Sequence, residues 1–168
     1  MQNNNKNIVL IGMPGVGKST LGVILAKIIG YRFLDADLVI QEREGKLLKE
    51  IIAEKGVEGF MAVENEVNAS LNCEKTIIAT GGSVIYGKEA MEHLKNIGKI
   101  IYLKADYEDL DKRLSNLKGR GVVLKKGQNL KQLYEERTPL YEKYADYIVD
   151  ETGCDIEDTI KKILQIMQ

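Results

Sequence analysis

The sequence contains few residues of the kinds that build metal centres and disulfides. Its 168 residues include two cysteines, Cys73 and Cys154, and one histidine, His93. The cysteines lie far apart and form no CxxC motif, which argues against a zinc site made of cysteine and histidine. We expect both to be reduced thiols, as in a cytosolic protein.

Long apolar runs and an excess of one charge are also missing. The N-terminal stretch MQNNNKN is polar, and the apolar run after it is too short for a signal peptide or a transmembrane helix. The net charge is −1, with both signs mixed along the chain. A nucleic-acid or anionic-membrane surface would need a basic excess. We therefore expect a cytoplasmic protein with neither kind of partner.

The composition that is present is typical of a folded globular domain. A hydrophobic fraction of 44% in 168 residues is enough for one core. We identify no repeat, low-complexity segment or linker. The sequence therefore predicts a single domain over residues 1–168.

Short β-branched runs alternate with helical patterns along the chain. The predicted strands cover residues 7–12, 31–34, 76–80, 99–103 and 146–150. The predicted helices cover 17–29, 37–55, 57–72, 87–97, 106–117, 155–167 and a stretch from about 129. Such alternation predicts βαβ units and a mostly parallel sheet covered on both faces. Ligands of such sheets bind at the carboxyl ends of the strands.

Several finer expectations belong to this pattern. Gly45 should interrupt the helix over 37–55, and Gly56 should end it. Pro139 should mark a break or a new first turn in the helix that begins near 129. His93 lies in a charged helix and is expected to be solvated.

The stretch GMPGVGKST, residues 12–20, follows the first predicted strand and matches the pattern G-x-x-x-x-G-K-[ST]. In that pattern, inward-facing backbone amides cradle phosphates, and the helix that follows contributes its positive dipole end. The lysine reaches the β- and γ-phosphates, and the hydroxyl that follows it binds Mg²⁺. The predicted nucleotide-binding residues in this loop are Gly12, Gly15, Gly17, Lys18, Ser19 and Thr20. An N-K-x-D guanine motif is missing, which favours a small ATP-dependent kinase.

Asp35 and Asp37 bracket Ala36 at the end of the second predicted strand. One carboxylate at such a site can hold Mg²⁺, and the other can accept a proton from an attacking hydroxyl. The alternative is a helix-capping aspartate beside a solvated one.

Five segments in order resemble the shikimate kinase family, over almost the whole chain: GMPGVGKST, FLDADLVI, GFMAVENEV, IATGGSV and ERTPLYEKYAD. The resemblance implies that ATP and shikimate, with Mg²⁺, give ADP and shikimate 3-phosphate. It also implies a P-loop NTPase-type α/β/α fold, with a five-stranded parallel sheet in the order 2-3-1-4-5. The family suggests a monomer.

The resemblance also implies roles for residues on the acceptor side. Asp35 would join Ser19 on the Mg²⁺ side, whereas Asp37 would grip the acceptor hydroxyl and act as the base. Arg137 would bind the substrate carboxylate. The helices over about 37–72 would form the substrate-binding region.

Two further arginines fall at the family's spacing. Arg120 would swing in with a lid over about 117–128 and neutralise the transferring phosphoryl group, which makes it catalytic together with Lys18 and Asp37. Arg113 would stack on or flank adenine. The alternative for 117–128 is a solvated basic loop.

The chain departs from the family pattern at three positions. Met61 replaces the arginine of F-R-x-x-E, although Glu64, which would hold that arginine, remains. Ser83 replaces a third glycine, and Gly121 replaces a proline that usually follows the lid arginine. The first two departures fall on the substrate carboxylate, where one lost contact costs roughly 2–5 kcal/mol of binding.

The predicted substrate-binding set is therefore Asp37, Met61, Gly81, Gly82 and Arg137, although Met61 could equally fill the core. Three functions stay open from the sequence. The first is a shikimate kinase whose carboxylate site uses Arg137 and a lysine. The second is a related kinase for another polyol or hydroxy acid. The third is a nucleotide-binding regulatory module without catalysis.

Overall fold

The computed structural model describes residues 6–115 and 127–168. Its five strands are β1 (Asn7–Ile11), β2 (Arg32–Asp35), β3 (Thr76–Ala79), β4 (Gly98–Lys104) and β5 (Tyr147–Asp150). Every neighbouring pair is parallel, and the strand order is β2-β3-β1-β4-β5. The predicted parallel sheet and its order are confirmed.

The helices that connect these strands lie close to their predicted positions. They are α1 (Lys18–Ile29), α2 (Ala36–Glu44), α3 (Leu48–Ala69), α4 (Lys88–Ile97), α5 (Tyr107–Ser115), α6 (Leu130–Tyr144) and α7 (Ile156–Met167). A single 3₁₀ turn, Val84–Tyr86, follows β3. None of the helices in the two described ranges combines the length and hydropathy that crossing a bilayer requires.

Strands β1 and β3 lie inside the sheet, and every one of their residues is buried. Continuous apolar strands are expected where helices cover both faces of a parallel sheet. Asn7 is a buried polar exception, only 1% exposed. Its side chain donates to the carbonyl oxygens of Cys73 and Ile97 and accepts from the amide of Thr76. This side chain therefore ties together the beginnings of three adjacent strands.

A second, smaller hydrophobic cluster lies between α2 and α3, apart from the core on the sheet. Its buried members are Ile40, Ile51, Phe60, Val63 and Val67. This cluster holds together α2 and α3, which form the substrate-binding region predicted from the sequence. Met61, which is half-buried, packs against it.

One of the expected helix breaks is not observed. Gly45, with a φ of 65°, ends α2. Gly56, with a φ of 74°, is non-helical and breaks α3 at a kink, as expected, and a second helical stretch continues to Ala69. Apolar side chains on the far side of the kink pack into the second cluster, so the helix resumes after one non-helical residue. Pro139 lies inside α6 without a break. The buried side chains of Arg137 and Tyr141 on either side of Pro139 anchor this helix.

The expectation that His93 is solvated is wrong. Its ring is half-buried, and Nε2 lies 2.6 Å from the carbonyl oxygen of Leu71. Helix α4 packs against α3, which carries this histidine to the end of α3. The contact joins two helices far from the predicted active site.

Candidate active site

The glycine loop between β1 and α1 has a backbone that requires glycine. Gly12 has a φ of 150°, and a Cβ atom there would lie 2.7 Å from the carbonyl oxygen of Leu103. Gly17 caps α1 with a φ of 89°, and no side chain from the described part of the chain caps this helix. The first-turn amides and the positive end of the helix dipole are therefore available to an anion.

Lys18 is buried within this loop and is only 8% exposed. Its Nζ donates to the carbonyl oxygens of Gly12, at 2.7 Å, and Met13, at 2.9 Å. These bonds place the ammonium charge under the loop, where the phosphate-binding pattern requires it. Contact between Lys18 and the phosphates of a nucleotide stays a prediction.

Asp35 caps a helix, which is one of the alternatives left by the sequence, and it also contacts Ser19. Its Oδ1 accepts from the backbone amides of Asp37 and Leu38, which caps α2. Its Oδ2 accepts from the Ser19 hydroxyl at 2.8 Å. One oxygen therefore holds the helix, while the other lies beside the hydroxyl predicted to bind Mg²⁺.

This pair fits a magnesium ion. A hydroxyl and a carboxylate are hard oxygen donors, which Mg²⁺ prefers, and it usually keeps waters and substrate phosphates as its other ligands. Within residues 6–115 and 127–168, no group of three or more histidine, cysteine or acidic side chains could hold a metal without such help. Ser19 and Asp35 would therefore hold Mg²⁺ together with phosphate oxygens, not as a closed protein cage.

A cavity of about 430 Å³ opens beside the glycine loop. Its walls come from that loop, from Asp35 and Asp37, from the start of α3 and from the turn that follows β3. The parallel sheet delivers these segments to one edge because β1, β2 and β3 all end there. Residues that are distant in the sequence, including Lys18, Asp37 and Gly81, therefore line one space.

A small recess adjoins this cavity and contains Arg137. Arg137 is 1% exposed, and its guanidinium carbon lies 5.6 Å from the ring centre of Tyr86. A Cβ atom at Gly82 would lie 3.0 Å from its Nη1. Tyr141 donates its hydroxyl to the Gly82 carbonyl oxygen at 2.5 Å, which fixes α6 to this turn. The predicted carboxylate-binding arginine therefore faces the predicted glycines.

Glu64 lines the same recess and is 2% exposed. Its Oε1 accepts from the Ser83 hydroxyl at 2.5 Å, whereas its Oε2 has no hydrogen-bond partner among the described residues. A Cβ atom at Gly81 would lie 2.6 Å from this Oε2 and 2.8 Å from Oδ1 of Asp37. The carboxyl groups of Glu64 and Asp37 therefore flank Gly81, which lines the 430 Å³ cavity. We call this space the acceptor cavity, after the role predicted for Asp37.

The surroundings of Glu64 favour its neutral form. Burial raises its pKa to about 7; the charge of Asp37 acts in the same direction, whereas the Ser83 hydrogen bond and the charges of Arg137 and Lys18 oppose it. Near neutral pH this side chain is thus about half protonated. A protonated carboxyl beside Asp37 relieves the repulsion that two ionised carboxylates would suffer.

The remaining sequence-predicted residues are less closely associated with the acceptor cavity. Met61 is not among the described residues that line the cavity or the recess. Arg113 lines a separate cavity, between the glycine loop and the start of α7, and pairs with the buried Glu151 at 2.9 Å. Arg120, Gly121 and most of the lid over about 117–128 lie outside the described residues.

Two contacts beside the predicted site were not predicted from the sequence. The first is the hydrogen bond from Ser83 to Glu64, although a serine in place of a family glycine was a signal that a new donor lies there. The second is the pairing of Arg113 with Glu151, which is 3% exposed and holds Arg113 beside the carbonyl oxygen of Gly15. No pattern around Glu151 indicates this pairing, because the fold joins the two residues.

A phosphate-binding loop beside a carboxylate that faces an open cavity is the arrangement of a P-loop phosphotransferase. The family model described as shikimate kinase matches residues 14–168. The chain belongs to the shikimate kinase family. It is an ATP-dependent kinase that phosphorylates a hydroxyl group and uses Mg²⁺.

Individual relatives agree with this assignment. The chain is 40% identical over 162 residues to a shikimate kinase of Francisella tularensis subsp. novicida, covering 94% of this chain and 92% of that protein. It is 36% identical over 163 residues to that of Thermodesulfovibrio yellowstonii, covering 95% and 94%. A structure of shikimate kinase from Acinetobacter baumannii in complex with shikimate has a TM-score of 0.86 and 32% identity, covering 96% and 92%.

Proposed function

We propose that this protein transfers the γ-phosphoryl group of ATP to the 3-hydroxyl of shikimate and releases ADP and shikimate 3-phosphate. The observation that carries the proposal is the shared cavity. The phosphate-binding loop and Asp37 line one space of about 430 Å³ in a chain of the shikimate kinase family. Both substrates must meet in such a space for direct transfer.

The glycine loop would hold the triphosphate. Backbone amides at the start of α1 bind the phosphate oxygens, and Lys18 turns from the loop carbonyls towards the β- and γ-phosphates. Magnesium, when bound at Ser19 and Asp35, supplies positive charge to the phosphates. Gly15 and Thr20 would complete the predicted loop contacts, and Arg113 would flank the adenine, as the resemblance implies.

Asp37 would orient the acceptor and take its proton. Its carboxylate accepts a hydrogen bond from the 3-hydroxyl, and the hydroxyl oxygen attacks the γ-phosphorus as the bond to the ADP oxygen breaks. The hydroxyl proton passes to Asp37. Arg120 would neutralise charge on the transferring group, as the resemblance implies.

Arg137 would bind the acceptor carboxylate, with the backbone at Gly81 and Gly82 close beside it. The acceptor cavity also includes Lys49, a second cation at the mouth. This arrangement supports the hypothesis that a carboxylate site can work without an arginine at position 61. Met61 would support the wall from within the second cluster. We further propose that the chain acts as one domain and as a monomer in the cytoplasm.

The test is shikimate-dependent ADP release by the purified protein with Mg²⁺ and ATP, with the product identified by mass spectrometry. Quinate, gluconate and simple polyols serve as competing acceptors. Replacement Asp37→Asn should lower kcat by about 100-fold or more, because a general base is lost. The exposed Glu92→Gln on α4 is the matched control and should leave kcat unchanged. Absence of shikimate-dependent ADP release at millimolar shikimate would refute the proposal.

A further inference from the structure

Two departures from the family pattern meet at one side chain. Ser83 stands where the family has a third glycine, and its hydroxyl donates to Oε1 of Glu64 at 2.5 Å. Met61 stands where the family has an arginine, three residues before Glu64 on α3. Residues at this spacing are neighbours on a helix surface. A guanidinium at position 61 would thus be placed to reach the carboxyl group that Ser83 now binds.

The Ser83 hydrogen bond fixes the orientation of the Glu64 carboxyl group. Ser83 is 3% exposed and Glu64 is 2% exposed, so water contributes little to their hydrogen bonding. Because Ser83 binds Oε1, the other carboxyl oxygen, Oε2, faces the turn at Gly81. Gly81 also lines the acceptor cavity. A buried hydroxyl–carboxyl bond in this environment is stronger than its counterpart in water.

We infer that Ser83 is a positioning residue for acceptor binding, which fixes the Glu64 carboxyl group in place of the arginine that position 61 lacks. This inference rests on the proposed function, since the acceptor is taken to be shikimate. Ser83 itself touches neither substrate in this scheme. It acts through Glu64, which shares the recess with Arg137.

Ser83 would act on acceptor binding through the charged groups that surround Glu64. Glu64 faces Asp37 from α2, Arg137 from α6 and Lys18 from the start of α1. Ser83 holds one carboxyl oxygen and thereby limits how far Glu64 can rotate towards Arg137. A carboxyl group released from Ser83 would compete with the acceptor's own carboxylate for the guanidinium. Acceptor binding would weaken, whereas ATP binding would not.

The test is a double-mutant cycle with wild type, Ser83→Ala, Met61→Arg and the combined variant. Ser83→Ala should raise the KM for shikimate about 10-fold, with kcat and the KM for ATP changed less than about twofold. Adding Met61→Arg to Ser83→Ala should recover most of the lost affinity, because the guanidinium gives Glu64 a new donor. The two substitutions should therefore be strongly non-additive.

Further variants separate positioning from general damage. Ser83→Thr keeps the hydroxyl and should keep the shikimate KM near that of wild type. Ser70→Ala removes an exposed serine at the end of α3 and should change nothing. If Ser83→Ala does not fold, Ser83→Cys, with similar volume and a weaker donor, makes the same comparison.

The pH dependence gives a readout that a purely structural role would not move. Loss of the Ser83 donor changes the contacts that set the charge of Glu64, so the pH profile of the shikimate KM should shift. An unchanged shikimate KM and pH profile in Ser83→Ala, or equal effects of Met61→Arg with and without Ser83, would overturn the inference. Those results would leave shikimate turnover by the wild type intact. A wild type without such turnover would overturn both proposals.

Discussion

Replacing Glu64 with glutamine should change how the stability of the protein depends on pH. Glu64 is buried, and this burial raises its pKa to about 7 from the ordinary value of 4.5. Below pH 4.5 the side chain is protonated in both the folded and the unfolded chain. Between pH 4.5 and 7 it is ionised in the unfolded chain but largely protonated in the folded one. Unfolding then releases a proton, so rising pH lowers the free energy of unfolding.

The size of this effect follows from the two pKa values. Each pH unit of difference is worth about 1.4 kcal/mol, so the interval from 4.5 to about 7 corresponds to about 3 kcal/mol. The free energy of unfolding of the wild type is lowered by this full amount above pH 7 and is not lowered below pH 4.5. Glu64→Gln has nearly the same shape and does not titrate, so it removes this contribution.

Urea denaturation of both proteins between pH 4.5 and pH 8 provides the measurement. The free energy of unfolding of Glu64→Gln should rise relative to wild type by about 3 kcal/mol from the low to the high end. The exposed Glu92→Gln is the control for removing a carboxyl group outside the site. A difference between Glu64→Gln and wild type that stays constant over this range would refute the reasoning.

Three other substitutions test separate parts of the structure. Lys18→Met should lower kcat by about 100-fold or more in steady-state assays, because phosphoryl transfer loses a buried positive charge; near-normal turnover would contradict this role. Arg113→Met should destabilise the protein by about 1–3 kcal/mol at pH 8, measured by urea denaturation, because the buried Glu151 carboxylate loses its ion pair. The loss should be smaller at pH 5, because burial raises the pKa of Glu151 and protonation removes its negative charge. Equal losses at both pH values would argue against the pairing. Asn7→Ala should cost about 2–4 kcal/mol, because three buried hydrogen bonds between strands are lost; a loss below 1 kcal/mol would show that water replaces them.

The arrangement of strands and helices was predictable because its signals are local. Continuous apolar runs mark strands buried on both faces, as β1 and β3 show. Gly45 and Gly56 interrupted the helices as predicted, whereas Pro139 did not. The difference is tertiary, since buried side chains on either side of Pro139 hold the helical conformation.

The residues of the glycine loop are consecutive, so their spacing alone predicted a phosphate site and the place of Lys18 in it. The same holds for Asp35 and Asp37, which lie at the end of β2 and in the first turn of α2. The hydrogen bond between Ser83 and Glu64 could not be predicted from local spacing. Ser83 lies 19 residues further along, beyond β3, and only the packing of α3 against the turn after that strand brings the two together.

The sequence by itself determined the class of the protein, because a lysine, a hydroxyl and two aspartates at fixed short spacings predict a phosphate site beside an acceptor hydroxyl. The tertiary structure decided the state of the acceptor site. It placed Glu64, Asp37 and Arg137 around one turn and buried Glu64 and Arg137. Burial and proximity set the pKa of Glu64, and both depend on the folded chain as a whole.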